Sequence, residues 1–416
     1  MMRFAASGRR RFNKSLAALA AIAVTMTVAP GRAAAASAYA TRGTCAGFPR
    51  VDLQTPAGYC VALLADAASG LRFPRRLLEV SPGRFWLVDM GSWEPGRGRL
   101  LEFRLPAPGE RALPPTFTVL AEKLDRPLGL VLGPDGRVWL GEAGRISRIA
   151  IGPPGAPTKP QIVIDGLPAT GAHPLKEIVF GAGRKLYINV GSASDACRDD
   201  AGTRAVPCPE TEGAQPRAAV YEATLGPDFT LQSMRPFARG LRNSVALAFV
   251  PGPNLLLQGE NSIDYADETA PPEELNLLRD GAHYGWPYCV GARTPARGYE
   301  GRFDCGKTEP AAMPWPAHAA PLQIIAVPAA AANPFAGQLV VAWHGHRAVG
   351  HRIVGFRLDA QGKPVGVAQV WIGGWTAAPG VRPLGAPTGM AIDTHGRLLV
   401  VEDRHKTLLM LVREPR

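Results

Sequence analysis

Three short segments carry side chains able to do chemistry, and each adjoins a run of apolar residues. The first is Gly171-Ala-His173-Pro-Leu-Lys176. An imidazole that titrates near neutrality suits a general base at the mouth of a binding site, and the Lys176 ammonium can hold a carboxylate. The second is Gly240-Leu-Arg242-Asn243-Ser244. Its guanidinium offers a planar fork to carboxylate or carbonyl oxygens, and its amide adds a directed donor and acceptor. The third is an acidic stretch running from Gln258 through Asn261, Asp264, Asp267, Glu268, Glu273 and Glu274 into Gly281-Ala-His283-Tyr284-Gly-Trp286-Pro. Carboxylate and main-chain oxygens suit calcium, a hard cation tolerant of irregular geometry, although the spacing is not that of a calcium-binding helix–loop–helix. Each segment also has a plainer reading. An isolated His is commonly a structural residue, an Arg often bridges two sheets, and an acidic stretch is often a solvated loop. What decides between the readings is whether the architecture brings the three together.

That architecture is legible as a repeat. An apolar strand, a tight turn of the Pro-Asp-Gly kind, a second apolar strand and a small or acidic residue recur along the chain. The clearest copies run from Pro127 to Glu142 and from Pro387 to Glu402; others run from Glu177 to Asn189 and from Val245 to Gln258, with weaker ones around Phe85–Val88 and Leu339–Val341. Six such units at irregular spacing fit propeller blades with insertions. Each would supply the two inner strands of a blade, apolar throughout because both faces are buried. Segments such as Ile146–Ile151 and Ile353–Leu358 would follow as outer strands. The expected fold is therefore all-β, a six-bladed β-propeller of four-stranded antiparallel sheets over residues 41–416, since radial closure protects strand edges. A pair of β-sandwiches is the alternative, but it would not need the repeated turn. In a propeller the starts of the inner strands converge on one axial face, and both His173 and Arg242-Asn243 stand at such starts.

Composition agrees with this reading. The chain has 416 residues with 47 Gly and 40 Pro, a mixture suited to short strands and many turns. Residues 1–40 read as a secretory signal: a basic start with Arg3, Arg9, Arg10, Arg11 and Lys14, an apolar run from Leu16 to Val28, and small residues from Ala33 to Ala40. The run is too short and too alanine-rich for a membrane span, and nothing else in the chain reads as one. Arg9-Arg10-Arg11-Phe12 also fits a twin-arginine signal as well as it fits an ordinary one; both lead to the periplasm or the exterior. Six of the 46 basic residues lie in this segment, leaving 40 against 35 acids, a net charge of about +5. The remaining arginines are scattered and not interleaved with aromatics, which excludes nucleic acid as an expected partner. The six cysteines all follow the signal and suit an oxidising compartment. Sequential pairing would close three short loops, 45/60, 197/208 and 289/305. Cys-x-x-Cys does not occur, so neither thioredoxin-like chemistry nor an attached haem is expected.

Arg242-Asn243-Ser244, followed by an inner strand, then Glu274-Leu275-Asn276 and His283-Tyr284-Gly285-Trp286-Pro287, resembles the hallmark run of the soluble quinoprotein glucose/sorbosone dehydrogenases, especially their sorbosone-dehydrogenase-like branch. The resemblance extends from about Arg75 to the C-terminus, with a His at the place of His173. It implies a cofactor, pyrroloquinoline quinone, lying over the top of the propeller with calcium polarising its oxygens. By that resemblance His173 takes the proton of a sugar C1 hydroxyl or aldehyde hydrate as hydride leaves for the quinone. Arg242 and Asn243 touch the quinone oxygens, Asn261 lies beside the same plane, and Glu274 with the Tyr284 carbonyl holds calcium. A small sugar or aldehyde is the implied substrate, and a separate cytochrome or quinone the electron acceptor. The chain departs from the family where basic residues usually clamp the quinone carboxylates. Ala386 precedes Pro387 where Arg is usual, Lys176 stands where Arg is common, and the segment Trp343-His344-Gly345-His346-Arg347 is shortened. Arg347 and Arg382 are the expected substitutes. Two rival functions follow: a propeller that binds a sugar or a protein after losing the redox site, and a calcium-dependent lactonase on the same architecture.

Overall fold

Turn chemistry repeats from blade to blade. At Gly133-Pro-Asp135-Gly136 the Gly133 N–H donates to Arg137 O at 2.7 Å, and the Asp135 carboxylate accepts from Arg137 N and Trp139 Nε1. At Asp393-Thr-His-Gly396 the Asp393 carboxylate likewise accepts from His395 N and Arg397 N. Gly136 and Gly396 take φ of +70° and +74°, values that only glycine adopts without strain. Each turn thus reverses the chain after an inner strand and fixes the register of the next.

The computed structural model describes residues 39–198, 202–213, 215–345, 347, 349–375 and 385–414. The expected signal in residues 1–40 lies almost wholly outside them, as does Arg382. The described chain is nearly all strand, with four three-residue 3-10 turns and no α-helix. None of its helices is long and apolar enough to cross a membrane. Blade 1 comprises Pro74–Ser81, Arg84–Asp89, Gly98–Arg104 and Thr118–Leu124; blade 2 comprises Leu130–Leu132, Val138–Glu142, Arg145–Ile149 and Gln161–Ile164. Blade 3 is Ile178–Phe180, Lys185–Val190, Ala219–Leu225 and Leu231–Arg239, and blade 4 is Ala246–Val250, Leu255–Glu260, Glu273–Leu278 and Met313–Trp315. Blade 5 is Pro321–Ala326, Gln338–Trp343, Arg352–Leu358 and Pro364–Ile372. The innermost strands of successive blades touch one another in a ring, so the six expected units are the inner halves of six blades.

Blade 6 departs from the four-stranded expectation. Its first three strands, Pro387–Ile392, Leu398–Glu402 and Thr407–Arg413, come from the C-terminal end, and its fourth, Tyr59–Ala65, from the N-terminal end. Phe48–Val51 and Thr41–Cys45 extend this sheet to six strands. The seam closes the ring by strand pairing between segments more than 340 residues apart, with Leu411 opposite Val61. The three disulfides are 45–60, 197–208 and 289–305, each closing a short loop.

One ion pair sits where the inner strands meet. The Arg76 side chain, 1% exposed, donates Nε to Glu177 Oε2 at 2.7 Å. Its other nitrogens donate to the carbonyls of Val245 at 3.1 Å and Leu322 at 2.5 Å, and to Thr388 O. A single guanidinium therefore links blades 1, 3, 4, 5 and 6. Burial pushes the Glu177 carboxyl above its usual range, and the Arg76 charge opposes that rise.

Candidate active site

In antiparallel blades the start of an inner strand and the end of the second strand lie at the same end of the sheet. Residues just ahead of the former and just behind the latter therefore crowd one axial face, where they line a hollow of about 740 Å³. Blade 1 gives it Phe73, Arg75 and Trp93; blade 3 gives His173; blade 4 gives Arg242, Asn243, Asn261, Asp264 and Glu273. Blade 5 adds His318, His344 and Arg347, and blade 6 adds Asp403 and Arg404. His173, Arg242, Asn243, Asn261 and Arg347, separated by up to 174 positions in sequence, thus share one hollow.

His173 is positioned by the end of blade 3's second strand. Gly191 permits the approach, because a Cβ there would lie 2.5 Å from His173 Cβ. His173 Nδ1 lies 2.9 Å from Ser192 Oγ and 3.2 Å from Ser192 O. The Ser192 hydroxyl donates its one hydrogen to Ser194 O at 2.6 Å, so both partners of Nδ1 act as acceptors. Nδ1 must then carry the ring hydrogen, which leaves the lone pair on Nε2. Glu210 fixes the Ser192–Ser194 segment by accepting from Ala193 N and Ser194 N. Burial, with the nearby Arg242 and Arg217 charges, lowers the imidazole pKa to about 3. At neutral pH the ring is uncharged and able to accept a proton.

Arg242, 5% exposed, is held by blade 4 and by the loop after blade 3's second strand. Nη2 lies 2.8 Å from both Asp195 Oδ1 and Asp264 Oδ2, Nη1 donates to Asn261 O at 3.1 Å, and Nε donates to Asp195 O at 3.2 Å. Trp286 Nε1 donates to the same Asp195 carbonyl at 2.9 Å. The Tyr-Gly-Trp-Pro run therefore has a structural role, since it steadies the partner of Arg242. Asn261 donates Nδ2 to Pro321 O at 2.8 Å and so ties blade 4 to blade 5. Asn243 uses its main-chain N–H on Glu260 Oε1 at 3.1 Å.

Other expected site residues are placed elsewhere. Lys176 does not line the hollow; fully buried, it donates Nζ to Pro168 O at 2.8 Å and Pro174 O at 2.6 Å. Burial, with Arg217 and Arg126 nearby, lowers its pKa to about 7. The expectation that it holds a carboxylate is corrected, because local carbonyls take its donors. Arg347 reaches the hollow but is ion-paired with Glu268.

Glu274 and Tyr284 line a separate cavity of about 10 Å³, beside Glu260 and Ser262. That volume corresponds to about one water-sized probe. Glu260 and Glu274 face each other across adjacent strands, and both are buried. Burial raises the Glu260 pKa to about 8, with the Glu274 charge adding to the rise, and burial raises Glu274 to about 7. The Tyr284 hydroxyl is already bonded to Leu277 O at 2.6 Å. Asn276, whose Nδ2 donates to Glu274 at 3.1 Å, has a buried Oδ1 without a partner among the described residues. Opposed buried carboxylates around a one-atom space are the donor set a calcium ion neutralises.

Sequence reasoning missed Glu260, Arg75, His318, Asp403 and Arg404. Glu273, expected among the acids of a loop, is 5% exposed on a strand, accepting from Ser262 N at 2.6 Å and Ala320 N at 3.1 Å. Asp403 and Arg404 follow the second strand of the last unit just as Asn261 follows that of the fourth. The same positional rule would have found them.

No family model matches the chain. Over 89 residues it is 34% identical to an uncharacterized protein of Borreliella burgdorferi, a match covering 21% of this chain and 24% of that one. The match thus spans about a quarter of that relative. Among solved structures, the holo form of the pyranose dehydrogenase PQQ domain from Coprinopsis cinerea aligns with 88% of this chain and 98% of its own, at TM-score 0.70 and 18% identity. The calcium structure of the family AA12 carbohydrate-active enzyme of Trichoderma reesei aligns with 90% of this chain and 100% of its own, at TM-score 0.69 and 18% identity. The apo form of the soluble aldose sugar dehydrogenase of Escherichia coli aligns with 86% of this chain and 100% of its own, at TM-score 0.58 and 16% identity. At these identities the likeness is one of fold, and the six-bladed architecture is shared with solved sugar dehydrogenases.

Proposed function

We propose that the protein is an exported quinoprotein dehydrogenase that oxidises an aldose or a related small aldehyde or alcohol, using pyrroloquinoline quinone and calcium. The observation that carries the reading is the convergence of a neutral His173, Arg242, Asn243 and Asn261 on one axial hollow. The residues fit the cofactor: among the described residues four arginines line the hollow, and Arg75 Nε is buried without a hydrogen-bond partner among them, which suits an anionic, oxygen-rich group. The likeness of fold to sugar dehydrogenases and the three disulfides support the dehydrogenase and the oxidising compartment.

When bound, the quinone would supply the acceptor for the hydride, which carries both electrons lost by the oxidised carbon. The chain does the rest. His173 Nε2 accepts the hydroxyl proton, and Ser192 holds the ring in the tautomer that makes this possible. Arg242 and Asn243 offer donors to the acceptor's oxygens, and the Asp195 and Asp264 carboxylates keep the guanidinium in place. Glu260, Glu274 and the Tyr284 carbonyl would hold a calcium. A separate cytochrome or quinone would remove the electrons. A lactonase is less well supported, because among the described acids of the hollow Asp264 and Asp403 are ion-paired and Glu273 is bonded to two main-chain N–H groups.

Turnover tests it. Purified protein supplied with the quinone and calcium is expected to reduce an artificial electron acceptor when aldoses are added; a panel of sugars and alcohols with no reduction above the quinone-free control would end the proposal. Because His173 stays neutral until the pH approaches 3, kcat/KM should show no loss on acidification attributable to a base near 6.5, which a pH–rate profile checks. Calcium at a hundredfold its Kd should stabilise the wild type by about 2.7 kcal/mol, read as a rise in Tm, and Glu274→Gln should remove that response.

A further inference from the structure

The arginines of the hollow are not equally engaged. Arg242 is held by Asp195 and Asp264, and Arg347 by Glu268. Where blade 6 meets blade 1 the balance differs. Arg75 is 5% exposed, and its Nη1 lies 3.1 Å from Asp403 Oδ2. That carboxylate is shared with His344 Nε2 at 3.1 Å, so it does not serve Arg75 alone. Arg75 Nε is buried and without a partner among the described residues. The Nε–Nη2 edge of a guanidinium matches the two oxygens of a carboxylate, and in Arg75 Asp403 takes the other nitrogen. Arg404, next in the chain after Asp403, is exposed at the hollow, and among the described residues no carboxylate pairs with it. An aromatic shelf completes the corner. The Arg75 guanidinium lies 4.1 Å from the Phe73 ring centroid and 5.7 Å from that of Trp93, which packs edge-on to Phe73 and is 53% exposed. The loop presenting Trp93 is fixed by Ser92 N donating to Met90 O and Glu94 N donating to Ser92 Oγ. A large indole left exposed at the mouth of a polar hollow is a surface for a ring to lie on.

We propose that Arg75 and Arg404 form a carboxylate-binding end of the hollow, with Trp93 as the face on which the ring bearing that carboxylate rests. The proposal deepens the functional reading and rests on the same hollow being a ligand site. It also accounts for Ala386, since the cationic function at this corner is carried by the neighbouring blade and by the residue behind the second strand. The carboxylate has two sources, the quinone cofactor or a uronic-acid sugar, and their shared chemistry is a ring-borne carboxylate.

Equilibrium dialysis of the full chain separates these sources without relying on turnover. The probes are pyrroloquinoline quinone, its trimethyl ester, glucuronate and glucose, each against wild type, Arg404→Gln and Arg404→Lys. Arg404 is exposed, so these variants leave the buried Arg75–Asp403 pair intact; Arg75→Gln, checked for folding by circular dichroism, is the second variant. If the carboxylate is the cofactor's, Arg404→Gln weakens quinone binding about tenfold, Arg404→Lys recovers part of it, and the ester binds both proteins alike. If it is the sugar's, the wild type prefers glucuronate to glucose about tenfold and Arg404→Gln erases the preference. Unchanged binding of both acids in Arg404→Gln and in folded Arg75→Gln overturns the proposal. A wild type that binds glucuronate selectively but no quinone would remove the dehydrogenase reading and leave this subsite standing.

Discussion

Alanine at Arg76 is expected to cost about 3–5 kcal/mol of stability, because it leaves Glu177 buried without its counter-charge and several carbonyls without a donor. For a propeller of this length that corresponds to a fall in Tm of roughly 4–6 °C. Position sets the size of the loss. Four other blades send a group to the Arg76 guanidinium, so the substitution loosens the contact between inner strands rather than one surface of one sheet. Glu177→Gln should cost less, since the amide still accepts a hydrogen bond from Arg76. Replacing both by apolar residues of similar volume should cost less than Arg76→Ala alone, as removing a buried pair together leaves no orphaned charge. Thermal melts of the three variants decide it; an Arg76→Ala protein melting with the wild type would show that the axial ion pair does not hold the ring.

His173→Ala is expected to lower kcat by about 10²–10⁴, the range for a positioned general base, with quinone affinity close to wild type. The cause is the hydrogen bonding at Nδ1. Both neighbours of that nitrogen accept, so the proton resides there and Nε2 is left as a base. Ser192→Ala removes one of the two acceptors but leaves the ring and the Ser192 carbonyl, and should lower kcat by roughly tenfold while leaving KM unchanged. A His173→Ala enzyme with full kcat would exclude the imidazole from the chemistry. Equal losses of quinone affinity and of kcat would make it a binding residue instead.

The fold was legible in the sequence because propeller blades advertise their turns. The Asp135 and Asp393 turns use the same side-chain acceptor and the same left-handed glycine, and both stand out in the text of the chain. Short-range cysteine pairing was legible for a similar reason, as each bridge closes a local loop. Closure of the ring was not, since the pairing of Tyr59–Ala65 with Thr407–Arg413 joins the two ends of the domain and leaves no local signal. The site was legible as positions more than as contacts. A residue ahead of an inner strand must reach the axial face, and His173, Arg242 and Asn243 do so. Which way a side chain turns from there depends on neighbours distant in sequence. Lys176, three residues after His173, turns into the protein toward Pro168 and Pro174, and Glu260 meets Glu274 only because two strands pair in one register.

Titration of the purified, metal-loaded protein with pyrroloquinoline quinone, followed by quenching of tryptophan fluorescence, tests the central claim most directly. One saturable site per chain, weakened at least about tenfold in Arg242→Ala, is the result expected of a hollow built around that guanidinium. A flat titration of the wild type, with calcium present and the fold intact by circular dichroism, would contradict the assignment of this hollow to a quinone.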